Sequence, residues 1–419
     1  MKILWLSHLV PYPPKGGVLQ RSHHLLRELA RYHEVDLLAF NQKALMKPLF
    51  PSVEVGLREA AAFLGGVCRR HRFVSIPVDE EPYGKHKLAL KSLFGEPYNM
   101  GWLRSDEYRQ AMREWLGDTS YDLIHFDTIS LVRNFDLVPA GVATALDHHN
   151  IESSMLLRRA RNEKGWLKKS YFYQEGLRLR RVERRFCPGF SVNVTCSDLD
   201  SQDLRDVAPG SRVETIPNGV DTGYFTPGSE GSELRLAFVG RLNWYPNARA
   251  VEFIAGRLWP LLTREWPSLT MDIVGANAPA VAVELSERDP RFKVHGFVDD
   301  VRPIMARATA FVCPIDDGGG TKLKVLDAMA MGKVMVANPI ACEGIEVTEE
   351  ANVLFARAPE EYIEQLRGIL FDGERRGRIG NAARKMVEDK YSYAAIGRRL
   401  ADLYEKHAGE SRWGKRKTA

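Results

Sequence analysis

Short apolar runs recur along the chain, most of them continuous rather than alternating, as in strands buried on both faces of a parallel sheet. KILWLS (Lys2–Ser7) comes first, and EVDLLAF (Glu34–Phe40), RFVSIPV (Arg72–Val78), YDLIHFD (Tyr121–Asp127), GVATALD (Gly141–Asp147) and FSVNVTC (Phe190–Cys196) follow. Helical or irregular segments separate them. The helix after Gly16 and Gly17 carries Val18, Leu25, Leu26 and Leu29 on one side. A stretch rich in Pro, Gly and Ser, Glu214–Ser232, reads as a junction. Beyond it a second series opens with LRLAFVG and continues through LTMDIVG, FKVHGFV, TAFVCP, KVMVA and NVLFA. This alternation predicts an α/β chain of two doubly wound halves. Helices are expected from about Glu360 to Lys406, ahead of a short basic tail.

Ligands of such sheets collect at the carboxyl ends of the strands. Three polar clusters fall there in the first half: His8, His125 to Asp127, and Asp147 to Asn150. DHHN stands out, although a single histidine is more often structural. In the second half the stretch Phe311–Val336 predicts a strand, a polar loop from Asp316 to Gly320, a helix from about Thr321 to Met331, and another strand. Gly332 stands where a left-handed C-cap is wanted. Consecutive glycines before a helix N-terminus turn N–H groups toward a shared anion. Lys322 and Lys324 fall in the predicted first turn, where the macrodipole disfavours a cation by about 0.3–1 kcal/mol. A bound phosphate removes that conflict; an ordinary glycine turn with solvated lysines is the plain alternative.

Composition narrows the class. With 419 residues, 44% hydrophobic and 27% charged, the chain suits a soluble protein with two cores. A net charge of +5 is too small to point to nucleic acid. Basic residues crowd between Arg158 and Arg185, interleaved with Trp166, Tyr171, Phe172 and Tyr173. Segment 156–186 therefore reads either as a contact for an anionic membrane surface or as a solvated helix with its aromatics packed inward. Cys68, Cys187, Cys196, Cys313 and Cys342 show no C-x-x-C spacing, which argues against disulfides or zinc and for small buried hydrophobes. There is neither an apolar run of about 18 residues nor a signal-peptide pattern, so a cytoplasmic protein is expected, with membrane contact only at the periphery.

Five strings then carry a resemblance: HNIES (His149–Ser153), IPNGVD (Ile216–Asp221), FVGRLNWYPN (Phe238–Asn247), GFVDDVRP (Gly296–Pro303) and GGGTKLKVLDAMAMGK (Gly318–Lys333). Together, in this order, the chain resembles the retaining GT-B glycosyltransferases of glycosyltransferase family 4. More narrowly it is similar to bacterial transferases of exopolysaccharide assembly. The resemblance implies two Rossmann-like domains facing across a cleft. Residues 1–210 would form the acceptor side and 211–390 the nucleotide-sugar domain, while 391–419 would give a helix that packs back on the N-terminal domain and a basic tail. It also implies that Lys324 and Arg241 meet the diphosphate, Asp327 holds the ribose, and the backbone of Gly296 and Phe297 receives the base. Gly16, Gly17, Gly318, Gly319, Gly320 and Thr321 would approach the donor, and His149 would lie by its sugar.

One departure concerns a carboxylate pair that the family commonly places in this helix. Its second Glu is Asp327 here and its first is Gly319, with Asp316 or Asp317 as candidate substitutes. Lys324 and Asp327 are also spaced for a simple ion pair worth about 0.2–0.5 kcal/mol. The expected activity is metal-independent, cofactor-free transfer from a nucleoside diphosphate sugar to a glycan or lipid-linked acceptor. Asp316–Asp317 lacks a metal-binding D-x-D spacing. A sugar-nucleotide epimerase of the same fold and an inactive membrane-associated scaffold are the alternatives.

Overall fold

The structure is a computed structural model that describes residues 1–15, 17–93, 95–317 and 321–417, with the backbone alone at 17, 18 and 411–417. It separates into two compact units. One comprises Met1–Pro217 together with Ile396–Ala419, and the other Asn218–Ala395.

The first unit is built on β1 (Lys2–Ser7), β2 (Glu34–Asn41), β3 (Arg70–Ser75), β4 (Leu123–Phe126), β5 (Ala143–His148), β6 (Val192–Thr195) and β7 (Val213–Thr215). They form one seven-stranded sheet in the order β3-β2-β1-β4-β5-β6-β7, parallel throughout. The order reverses between β1 and β4, which is the switch point where doubly wound sheets bind ligands. Two sequence expectations are corrected here. The strand expected at Arg72–Val78 ends at Ser75, because Pro77 opens a short helix, Pro77–Glu80. β7 overlaps the start of the expected junction; its pairing with β6 carries the first unit to Pro217 rather than 210.

The helix Gly17–Leu29 follows β1 and buries Leu25, Leu26 and Leu29. Each fully buried side chain of this size contributes about 1.5–3 kcal/mol. The C-terminal helix Tyr393–Lys417 covers the same core from Ile396 onward, placing Ile396, Leu400, Ala401, Tyr404 and Ala408 among Ile3, Trp5 and Leu25. Gly397 permits the approach, since a Cβ there would stand 2.2 Å from Cβ of Glu28. The basic segment is two helices, Glu152–Asn162 and Trp166–Phe186. Between them the Glu163 carboxylate accepts a hydrogen bond from the Gly165 amide at 3.1 Å.

The second unit carries β8 (Arg235–Val239), β9 (Thr270–Val274), β10 (Phe292–Val294), β11 (Ala310–Cys313), β12 (Met335–Ala337) and β13 (Leu354–Phe355). Its six-stranded parallel sheet has the order β10-β9-β8-β11-β12-β13, the same winding, with the switch point between β8 and β11. The helix after β11 spans Leu323–Ala330, shorter than expected, and ends as predicted in Gly332 at φ +66°. All five cysteines are free and buried. Among the described residues no helix is long and apolar enough to cross a membrane.

Candidate active site

At the switch point of the first sheet, Asp127 is fully buried and serves as a hub. His8 Nδ1 lies 3.1 Å from Oδ2 and His149 Nε2 lies 3.3 Å from Oδ1. The Ser22 hydroxyl reaches Oδ2 at 3.0 Å, the Ser7 hydroxyl lies 3.0 Å from the same oxygen, and His125 Nε2 is 3.7 Å from Oδ1. Burial by itself would raise the carboxyl's pKa. The positive charge on His149, the nearby His125 and the hydrogen bonds from His149 and His8 outweigh burial and hold Asp127 well below the usual carboxylate range. His149 is shifted the opposite way: burial pulls it down, Asp127 pulls it up more, and the net direction is upward. His8, Asp127 and His149 also bring one ligand atom each within 4.8 Å of one another. The separations of the two imidazoles from Asp127 are those of hydrogen bonds.

β5 sorts the two histidines of DHHN. His148 is buried, bonds Asn193 at 3.2 Å, and is lowered by burial to about 4. His149, just past the strand end, belongs to the hub. Asp147 makes a two-pronged pair with Arg21, Nε–Oδ2 2.9 Å and Nη2–Oδ1 2.7 Å, with both side chains buried. Arg21 also donates to the carbonyls of Ile216 and Pro217 at 3.0 and 3.2 Å, anchoring the first residues of the IPNGVD string.

The second unit presents a different arrangement. Lys324 is the second residue of its helix, while Lys322 is the N-cap, so only Lys324 meets the macrodipole inside the first turn. Its ammonium does not pair with Asp327. It donates instead to Oδ1 of buried Asn247, whose amide donates 2.8 Å to the carbonyl of Arg241. Burial lowers the Lys324 pKa, and it raises Asp327 to about 7 against the pull of Lys324. A pocket of about 220 Å³ is lined by Trp244, Asn247, Asp317, Thr321, Lys322 and Lys324, among others. The Thr321 hydroxyl oxygen is buried there with no hydrogen-bond partner among the described residues.

Arg241 stands exposed just past β8, with no carboxylate partner among the described residues. Gly296, at φ +66°, and the exposed Phe297 follow β10. Gly16, Gly318, Gly319 and Gly320 lie outside the described residues, and Gly17 opens the helix after β1. Asp316 and Asp317, the candidate substitutes for the absent carboxylate, pair with Arg249 at 2.8 and 3.4 Å. Sequence reasoning assigned no role to Asn247, Arg21 or Tyr404. Asn247 was in a quoted string; Arg21 and Tyr404 carried no local signal.

Comparison with solved structures places this fold. A sucrose-phosphate synthase from Thermosynechococcus elongatus superposes with a TM-score of 0.66 at 15% identity, covering 97% of this chain and 99% of that one. HepE from Anabaena, in complex with UDP, gives 0.62 at 17%, covering 97% and 100%. TarM from S. aureus, in a complex that includes UDP, gives 0.62 at 10%, covering 96% and 99%. At these identities the likeness establishes the fold. Two Rossmann-type sheets, each with its polar groups at the switch point, make this a GT-B glycosyltransferase architecture. The chain belongs to glycosyltransferase family 4: residues 15–224 match the model of Glycosyltransferase Family 4, and residues 233–372 match that of Glycosyl transferases group 1. No curated protein matches the chain in sequence.

Proposed function

We propose that the chain is a retaining, metal-independent hexosyltransferase that uses a nucleoside diphosphate sugar and glycosylates a hydroxyl of a glycan or lipid-linked acceptor in exopolysaccharide or other surface-glycan synthesis. The observation that carries this reading is Lys324, held by a neutral amide beside a pocket whose Thr321 oxygen lacks a partner among the described residues, with Arg241 exposed past the neighbouring strand. Departure of a nucleoside diphosphate builds negative charge, and stabilising it is the main catalytic demand. Lys324 and Arg241 are the groups for that task, and Arg241 offers a fork suited to phosphate oxygens. Asp327 accepts from ribose hydroxyls. In a retaining reaction the leaving phosphate takes the acceptor proton, and His149 assists placement of the sugar. HepE and TarM complexes hold UDP, which makes UDP sugars the first donors to try. Lys324→Ala or Arg241→Ala is expected to lower turnover about 10²–10³-fold. Wild-type turnover in both variants would refute the phosphate assignment. A chelator should leave the rate unchanged; loss restored by a divalent ion would overturn metal independence.

The acceptor is proposed to be met at the cytoplasmic face of an anionic membrane. Trp166, Leu167 and Tyr173 are 76%, 65% and 54% exposed, and Lys164, Lys168 and Lys169 beside them are exposed as well. The Arg159 guanidinium lies 4.1 Å from the ring centroid of Phe172. Anchoring apolar side chains among lysines suits a bilayer of acidic lipids. Binding to phosphatidylglycerol vesicles that weakens with salt is expected, whereas equal binding to phosphatidylcholine would remove the electrostatic component.

A further inference from the structure

We infer that Tyr404, on the C-terminal helix, is a positioning residue for His149, acting through His125 and Asp127. The inference rests on the proposed role of His149 at the donor sugar. The Tyr404 hydroxyl lies 2.6 Å from His125 Nδ1, and both side chains are buried. His125 is stacked on Trp5 with ring centroids 3.6 Å apart, so it cannot swing to another partner without breaking that packing. Its other nitrogen, Nε2, lies 3.7 Å from Asp127 Oδ1 and has no closer partner among the described residues. The same Oδ1 receives His149 Nε2 at 3.3 Å.

Electrostatics selects one tautomer of His125. With the proton on Nδ1, the lone pair of Nε2 would face a buried carboxylate. With Tyr404 donating to Nδ1, the proton sits on Nε2 and points at Asp127. Burial raises the Tyr404 phenol well above its ordinary range, so it remains a donor throughout the working pH range. His125 and His149 then converge on one oxygen, and this fixes the carboxylate and, through it, the imidazole of His149. The C-terminal helix thereby contributes a polar contact to the hub as well as apolar cover for the core.

Three variants test this. Tyr404→Phe keeps the ring and removes the hydroxyl. It is expected to lower kcat about 10- to 100-fold while leaving the KM for donor within about two-fold. Histidine ¹⁵N NMR of the full chain should show His125 as the Nε2–H tautomer in wild type and a mixture in Tyr404→Phe. In His125→Gln the amide nitrogen reaches the place of Nε2, and in His125→Asn it reaches only that of Nδ1. The Gln variant should keep kcat within about three-fold and the Asn variant should lose about ten-fold. An Nδ1–H tautomer in wild type, or equal losses in the Gln and Asn variants, would overturn the inference. If His149→Ala retains full turnover, the role given to His149 fails; the NMR result then still decides whether Tyr404 sets the tautomer.

Discussion

The two sheets wind in the same order yet treat their switch points in opposite ways. In the first, polar groups are buried and answer one another: Asp127 collects histidines and serines, and Asp147 is clasped by Arg21. In the second, Arg241 is exposed, Thr321 Oγ1 is buried without a partner among the described residues, and Lys324 leans on a neutral amide instead of the nearby Asp327. Side chains that satisfy each other are held in place before any ligand arrives. Those left with capacity to spare gain most from an anion. On the proposed function, the first unit would supply geometry and the second affinity.

The largest effect should come from opening the first network. Asp147→Ala removes the carboxylate that pairs with the buried Arg21 guanidinium, and denaturation should show a loss of about 3–5 kcal/mol. Glu183 sharpens the contrast as a buried carboxyl of the first unit that is only half satisfied. It is fully buried, with one oxygen accepting from the Ser153 amide and the other without a partner among the described residues. Burial, with a smaller push from Glu152 and Asp203, raises it from 4.5 to about 7 against the Ser153 hydrogen bonds. The folded state is thus favoured by this group below pH 4.5, and that advantage is lost as the pH rises through 7. Glu183→Gln should raise stability at pH 8 by about 1–3 kcal/mol and change it little at pH 4, read as melting temperature at both pH values.

In the second unit, Asp327 at about 7 should make donor affinity climb about five-fold between pH 6 and 8, since an ionised acceptor holds hydroxyls more strongly. Asp327→Asn should flatten that slope in a binding titration. The smallest effect belongs to Arg249→Ala, which breaks only exposed pairs with Asp316 and Asp317. It should shift stability by less than about 1 kcal/mol.

Much of the scaffold was legible from apolar runs, because a strand buried on both faces is mostly apolar along its length. β7 escaped since Val213–Thr215 is three residues long with a single apolar member. In RFVSIPV the apolar pattern ran past a proline that starts a helix. The site divides similarly. Lys324, Asp127 and His149 announce themselves by standing next to strand ends or a glycine loop. The residues that orient them do not, because their contacts are long-range: Arg21 to Asp147 spans 126 positions, Lys324 to Asn247 spans 77, and His125 to Tyr404 spans 279. A hydrogen bond between distant positions leaves no local period to read.

The central claim is that the second unit holds a nucleoside diphosphate through Lys324. A melting-temperature panel of wild type and Lys324→Ala with UDP, GDP and ADP, each alone and as a sugar nucleotide, tests it directly, since a ligand specific to the folded state raises the transition. The account predicts that one nucleotide stabilises the wild type clearly and that Lys324→Ala loses most of that shift. A panel in which no nucleotide raises the transition, or in which Lys324→Ala responds as wild type does, would contradict it.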